Sequence, residues 1–159
     1  MSGYKTPIAV NEPVLSYAPG SPEKIKLKAA LKAARANVID IPMYIGGEEV
    51  RTEKKVSIHP PHDHKHLLGH YNAGDSTHVH KAIDAALKAR EKWANMSWEQ
   101  RSSIFLKAAE LLAGPYRAKI NAATMLGQSK NAYQAEIDAS CEMIDFLRFN
   151  VQYAQEIYN

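Results

Sequence analysis

Apolar residues recur at helical spacing over most of the chain, and one short stretch of β-prone runs broken by glycine and proline interrupts them. Ser21 caps the first predicted helix, with Pro22 at its first position and Glu23 in its first turn. Leu27, Leu31, Ala34 and Val38 form its apolar face, and it is expected to run to about Val38, where "DIP" breaks it. "MYIGGEEV" then reads as a hairpin, because Gly46 and Gly47 suit the positive φ angles of a two-residue turn. A second hairpin is predicted from "KKVSI" and "HLLGHY" around "HPPHDH", where Pro60 and Pro61 cannot donate to a ladder and Asp63 favours a turn.

Helices account for the rest. Asp75 or Ser76 caps a helix carrying Val79, Ile83, Ala86, Leu87, Arg90 and Trp93 at helical spacing. "SWEQ", 97 to 100, is a capping box, and Phe105, Ala108, Ala109 and Leu112 continue its helix until "GP" at 114 and 115. A third helix is expected from near Pro115 to around Gly127. The last starts near Asn131 and meets no stop signal before Asn159, a length of about 40 Å at the rise of an α-helix. Its apolar residues face two ways: Tyr133, Ile137, Ile144, Leu147 and Val151 make one stripe, while Phe146 and Phe149 point elsewhere. A helix apolar on two faces is normally sandwiched between partners, so the sequence is expected to be the beginning of a larger fold. Residues 1–20, with Pro7, Pro13, Pro19 and Gly20 and no periodic pattern, read as an extended arm that must lie on another surface to be ordered. No internal repeat or low-complexity segment is found.

A length of 159 residues matches one ordinary domain that needs no metal or disulfide to bury a core. The 20 Lys and Arg against 17 Asp and Glu give +3, too little to imply nucleic acid unless the basic residues cluster. Lys24, Lys28, Lys32 and Arg35 do share a helix face, but the opposite face is alanine and leucine without an aromatic anchor, so a solvated outer surface is expected and not a membrane contact. No run approaches the 20 or so apolar residues of a spanning helix. The start shows neither the charged and apolar regions of a signal peptide nor an Arg-rich transit segment, and the lone Cys141 excludes an internal disulfide; the expected location is cytoplasmic.

Four histidines, His59, His62, His64 and His66, crowd the second turn, and a zinc site would need three or four ligands converging at about 2.0 to 2.3 Å. His62 and His64 have a loop-like spacing, and His66 and His70 are expected to share a strand face; His78 and His80 diverge on a helix. Without a nearby cysteine or an HExxH pattern, the cluster reads as solvated turn residues and no metal is expected. Cys141, inside a helix without an activating His or glycine-rich turn, reads as a buried structural thiol and not a nucleophile. Trp93 and Trp98 read as helix-packing residues, and "GQSK" lacks the further glycines and the strand context of a phosphate loop. Glu136 is less ordinary. It lies about 100° from Ile137 at the margin of the apolar stripe, where a carboxylate either reaches water or receives a polar ligand.

The succession "IPMYIGGEEV", "PHDHKHLLGHY", "AIDAALKAREKW", "RSSIFLKAAELLAG", "TMLGQSKNAYQAEIDASCEMIDFLRFN" closely resembles the amino-terminal portion of the aldehyde dehydrogenase family, over nearly the whole chain. The pattern "AxxAxxxW" followed by "RxxIxxxAAxLL" is shared across that family, while "QAEID" and "FLRFN" point to its 1-pyrroline-5-carboxylate dehydrogenase branch. The resemblance implies NAD-dependent oxidation of glutamate γ-semialdehyde to glutamate in proline catabolism, by a homo-oligomer acting on a small aldehyde. That chemistry needs a cysteine thiolate, an oxyanion stabiliser, a hydride acceptor and a glutamate that activates water. In the family these come from segments beyond this chain, so no catalytic or cofactor-binding residue is assigned, and the fragment alone is expected to be inactive. One role does carry over: in this branch the glutamate of "QAEID", Glu136, lies on a helix bordering the aldehyde tunnel, which makes it the candidate substrate-binding residue. The fold expected is mainly α with two short amino-terminal β-hairpins, α+β as a fragment. Residues 1–20 form the arm, and residues 21–159 the incomplete start of the α/β cofactor domain of an aldehyde dehydrogenase. The alternative is a non-catalytic helical interaction module that docks through its two-faced last helix.

Overall fold

The computed structural model describes residues 5–158; the first four residues of the predicted arm and Asn159 at the end of the predicted last helix lie outside the described residues. Two units divide the chain, Ala33–Met96 forming one and the chain up to Lys32 with that from Ser97 onward forming the other. The helix α1 (Pro22–Ala36) begins in the second of these and ends in the first.

In the unit Ala33–Met96, β2 (Met43–Ile45) and β3 (Glu48–Val50) pair antiparallel across Gly46 and Gly47, whose φ angles of 64° and 89° are those the sequence required. The second predicted hairpin is also present, with β4 (Lys55–Ile58) antiparallel to β5 (Gly69–Asn72). Sequence reasoning missed β1 (Ile39–Ile41), which pairs parallel with β5 to give the order β1-β5-β4. "DIP" does end α1, but Ile39 and Ile41 then extend along β5. Buried Asn72 pins this junction: its side chain donates to Asp40 Oδ1 at 2.8 Å and to the Ile41 carbonyl at 2.9 Å, and accepts from Thr52 N at 2.8 Å. The helix α2 (Ser76–Asn95) starts on Asp75, with His78 completing a reciprocal cap.

In the other unit the capping box of Ser97 and Gln100 opens α3 (Trp98–Ala113), which packs along the last helix. The helix α4 (Arg117–Gln128) ends where Ser129 turns left-handed at φ 56°. The core here comprises Leu27, Ala109, Ala122, Leu126, Ala135, Cys141, Ile144 and Val151.

The predicted last helix is present but not uniform. It consists of α5 (Ala132–Ala135), a π-helical segment (Glu136–Cys141) and α6 (Glu142–Tyr158), and the Glu142 amide reaches back five residues to the Ile137 carbonyl. An extra residue in one turn rotates everything downstream by about 100° relative to a continuous α-helix. This corrects the predicted stripe. Tyr133 is 67% exposed, whereas Ala135, Glu136, Ser140, Cys141, Ile144 and Val151 are buried together. Glu136 thus moves from the margin of the apolar face to within about 40° of its centre. The arm, residues 5–20, has neither helix nor strand and lies on this composite helix: Gln152 Oε1 accepts from Ala9 N at 2.9 Å and Asp145 Oδ1 from Glu12 N at 2.7 Å.

Candidate functional site

Glu136 opens the π-helical segment and has no exposed surface. Its hydrogen-bond donors come from the arm and from α4. From the arm, the Leu15 amide donates to Oε1 at 2.8 Å and the Tyr17 hydroxyl to Oε2 at 2.6 Å. From α4, the Arg117 guanidinium donates through Nη2 to Oε1 and through Nε to Oε2 at 3.3 Å, and Asn121 Nδ2 donates to Oε2 at 2.8 Å. Arg117 and Asn121, four residues apart, share one helix face, as do Glu136 and Ser140 across the π turn; Ser140 Oγ donates to Asn121 Oδ1 at 2.6 Å.

The network extends outward through charge. Arg117 Nη1 also binds Glu12 of the arm, whose other oxygen accepts from Arg148 Nη1 at 2.7 Å, so two guanidinium groups balance two carboxylates. Arg117 Nη2 donates further to the Pro13 carbonyl at 2.8 Å. Tyr17 takes part with a left-handed φ of 52°, a strained conformation for an aromatic residue that its neighbours hold in place.

Burial alone would raise the Glu136 carboxyl, but the hydrogen bonds from Arg117, Tyr17, Leu15 and Asn121 outweigh it and hold the group below its ordinary value. Tyr17 is pushed up, first by burial and then by its bond to the Glu136 anion. Arg117 is pushed up against its own desolvation by Glu136 and Glu12. Cys141, 3.8 Å from Glu136 Oε1, is raised to about 11 by burial and then by the Glu136 charge, which leaves a protonated thiol at neutral pH. An ionised carboxylate with its lone pairs occupied and a protonated thiol make neither a general base nor a nucleophile. What the arrangement can do is hold charge and orientation in a dry setting.

Sequence reasoning located Glu136 but left it the choice of water or a polar ligand, and the structure supplies protein donors. It missed Glu12, Tyr17, Arg117 and Asn121. The pair Arg117 and Asn121 left a signal, two polar residues at i, i+4 on a helix whose other buried residues are Ala122 and Leu126. The histidine cluster occupies the connection between β4 and β5, folded by Asp63 N donating to the Pro60 carbonyl at 3.0 Å and His66 N to the Asp63 carbonyl at 3.0 Å. His66 lies in this turn and not on β5, so it does not share a strand face with His70 as expected. Among the described residues no three His, Cys, Asp or Glu side chains converge as a metal site would need.

The profile of the aldehyde dehydrogenase family matches residues 49–159. A delta-1-pyrroline-5-carboxylate dehydrogenase of Agaricus bisporus is 48% identical over 159 residues, covering 99% of this chain and 29% of that protein. The mitochondrial delta-1-pyrroline-5-carboxylate dehydrogenase of Homo sapiens is 46% identical, over 92% of this chain and 26% of its own length. Among solved structures, a Mycobacterium tuberculosis delta-pyrroline-5-carboxylate dehydrogenase bound with NAD and cobalamin superposes with a TM-score of 0.96 at 44% identity, covering 99% of this chain and 30% of that one. The chain therefore spans less than a third of the length of these relatives, and its helices and short strands are those of the corresponding part of their fold. On the match to 49–159 and this likeness of sequence and structure, the chain belongs to the aldehyde dehydrogenase family.

Proposed function

We propose that these residues form the amino-terminal part of an NAD-dependent dehydrogenase that oxidises glutamate γ-semialdehyde, in equilibrium with 1-pyrroline-5-carboxylate, to glutamate. One observation carries the reading: the 48% identity to a protein of that name extends over 99% of this chain. Residues 21–159 then correspond to an incomplete cofactor-binding domain preceded by the arm, and the complete enzyme is a homo-oligomer acting on a small aldehyde. Its proposed location is cytoplasmic, with the mitochondrion of the human relative as the competing compartment.

This chain's own residues do not fit NAD. Among the described residues the one parallel strand pair, β1 with β5, leads into α2, but Asp75 occupies the helix terminus where a pyrophosphate would sit, accepting from Thr77 N at 2.9 Å and His78 N at 3.3 Å. NAD therefore belongs to the remainder of a full-length enzyme, and this chain alone is proposed to be inactive.

Within that enzyme Glu136 borders the aldehyde tunnel, contributing orientation and charge and not proton transfer. The test is steady-state kinetics on full-length enzyme carrying these residues. Glu136→Gln, which keeps the shape and removes the charge, should lower kcat/KM for the semialdehyde about tenfold to a hundredfold, the value of one hydrogen bond to a charged group, and leave NAD affinity nearly unchanged. Unchanged kcat/KM would remove Glu136 from substrate handling. Lack of semialdehyde oxidation by the unmutated enzyme would remove the proposed function itself, leaving the helical interaction module.

A further inference from the structure

The Glu136 carboxylate is fixed by a group that is itself fixed from the far side. The Arg117 fork spends Nε and Nη2 on the two oxygens of Glu136, Nη1 on Glu12, and Nη2 again on the Pro13 carbonyl, so each guanidinium nitrogen has an acceptor. Glu12 in turn is held by Arg148 Nη1 at 2.7 Å and through its own amide by Asp145 Oδ1 at 2.7 Å. A residue of the arm is thereby connected to the buried carboxylate 124 positions along the chain without touching it.

We propose that Arg117 is a positioning residue for Glu136, braced by Glu12, so that the arm governs substrate use through a relay of Glu12, Arg117 and Glu136. The proposal deepens the reading of Glu136 given above and rests on it. Planar bidentate geometry carries the argument, because a lysine supplies the same charge without the fork. The other groups facing Glu136 do not substitute for Arg117. Tyr17 from the arm and Cys141 from the π segment stay protonated near neutral pH, Asn121 from α4 carries no charge, and Glu23 of α1 has the same sign as Glu136.

The experiment compares full-length enzyme with Arg117→Lys, Glu12→Gln, Glu136→Gln and the double variant Glu12→Gln/Glu136→Gln. Arg117→Lys should raise KM for the semialdehyde about tenfold, as expected for one lost charged hydrogen bond, with KM for NAD unmoved. Glu12→Gln should act in the same direction with a smaller effect, and that effect should vanish in the Glu136→Gln background, since residues of one relay are not additive. A silent Arg117→Lys, or a Glu12→Gln loss that persists undiminished without the Glu136 charge, overturns the relay. If Arg117→Lys fails to fold, the Glu12 and Glu136 cycle decides alone.

If the unmutated enzyme does not oxidise the semialdehyde, the proposed function fails separately, and the relay is read by titrating the Glu136 Cδ resonance in the 159-residue chain. Glu12→Gln that merely deletes a neighbouring negative charge lowers the Glu136 midpoint. Loosening of Arg117 raises it, so a fall or no change overturns the relay.

Discussion

A carboxylate with no exposed surface is stable only if its partners return what desolvation removes, and Glu136 meets that condition through four residues from two parts of the chain. Because these partners favour the anion, its folded pKa lies below the value of about 4.3 it has in the unfolded chain. The stability this provides is fully present above the unfolded value and is lost as pH falls through the folded one. Urea unfolding measured from pH 7 to pH 3 should therefore lose stability below about pH 4.3, and the loss should be shallower in Glu136→Gln, which cannot titrate. Equal slopes for the two proteins would show that Glu136 is not held as an anion. At pH 7, Glu136→Ala should cost about 3 kcal/mol, the low end for breaking a buried ion pair, because Arg117 retains Glu12. At this scale the sequence exposed the residue and hid its depth. Glu136 stood out as a polar position beside an apolar stripe, but 3.6-residue periodicity placed it at the edge, and the extra residue of the π turn carried it inward.

Elements written in local chemistry were legible and those that depend on distant partners were not. Ser97 with Gln100, Asp75 before α2, and the glycine pair 46 and 47 each specify a boundary within a few residues, and each lies where the pattern put it. By contrast β1 exists because Ile39–Ile41 finds β5 some thirty residues later, and nothing in "IDIP" announces a parallel partner. Gly69 is what permits that approach: a Cβ there would lie 2.3 Å from the Ile39 carbonyl oxygen and 2.6 Å from Ile39 Cγ1. Gly69→Ala must push β1 away. The expected cost is about 1 to 3 kcal/mol, the range for overpacking, with accelerated hydrogen exchange at the Ile39 amide, which donates to the Leu68 carbonyl at 3.1 Å. A variant with unchanged melting and unchanged Ile39 protection would mean that the β1 pairing contributes nothing to the unit.

Across the whole chain, chemistry is sparse while apolar surface remains open. Val79, Ile83 and Leu87 of α2 are 58%, 51% and 59% exposed although they lie at helical spacing, and Phe146 of α6 is 63% exposed. Sequence periodicity identified these faces correctly as apolar but could not say that no described residue covers them. The same limit applies to function: family membership follows from residues spread over the chain, whereas dinucleotide binding needs a particular strand, turn and helix terminus. The terminus of α2 is closed to an anion by the Asp75 carboxylate, which is held well below the usual carboxylate range by its bonds to Thr77 and His78. A Cβ on Gly74, beside it, would meet Met43 Sδ at 2.8 Å. Equilibrium dialysis of the purified 159-residue chain against NAD should accordingly give no saturable binding at micromolar cofactor, with full-length enzyme as the positive control. Saturable binding by the chain would place a nucleotide site among these residues and overturn the assignment of NAD to the remainder of the enzyme. Binding that appeared only in Asp75→Ala would locate that site at the opened α2 terminus.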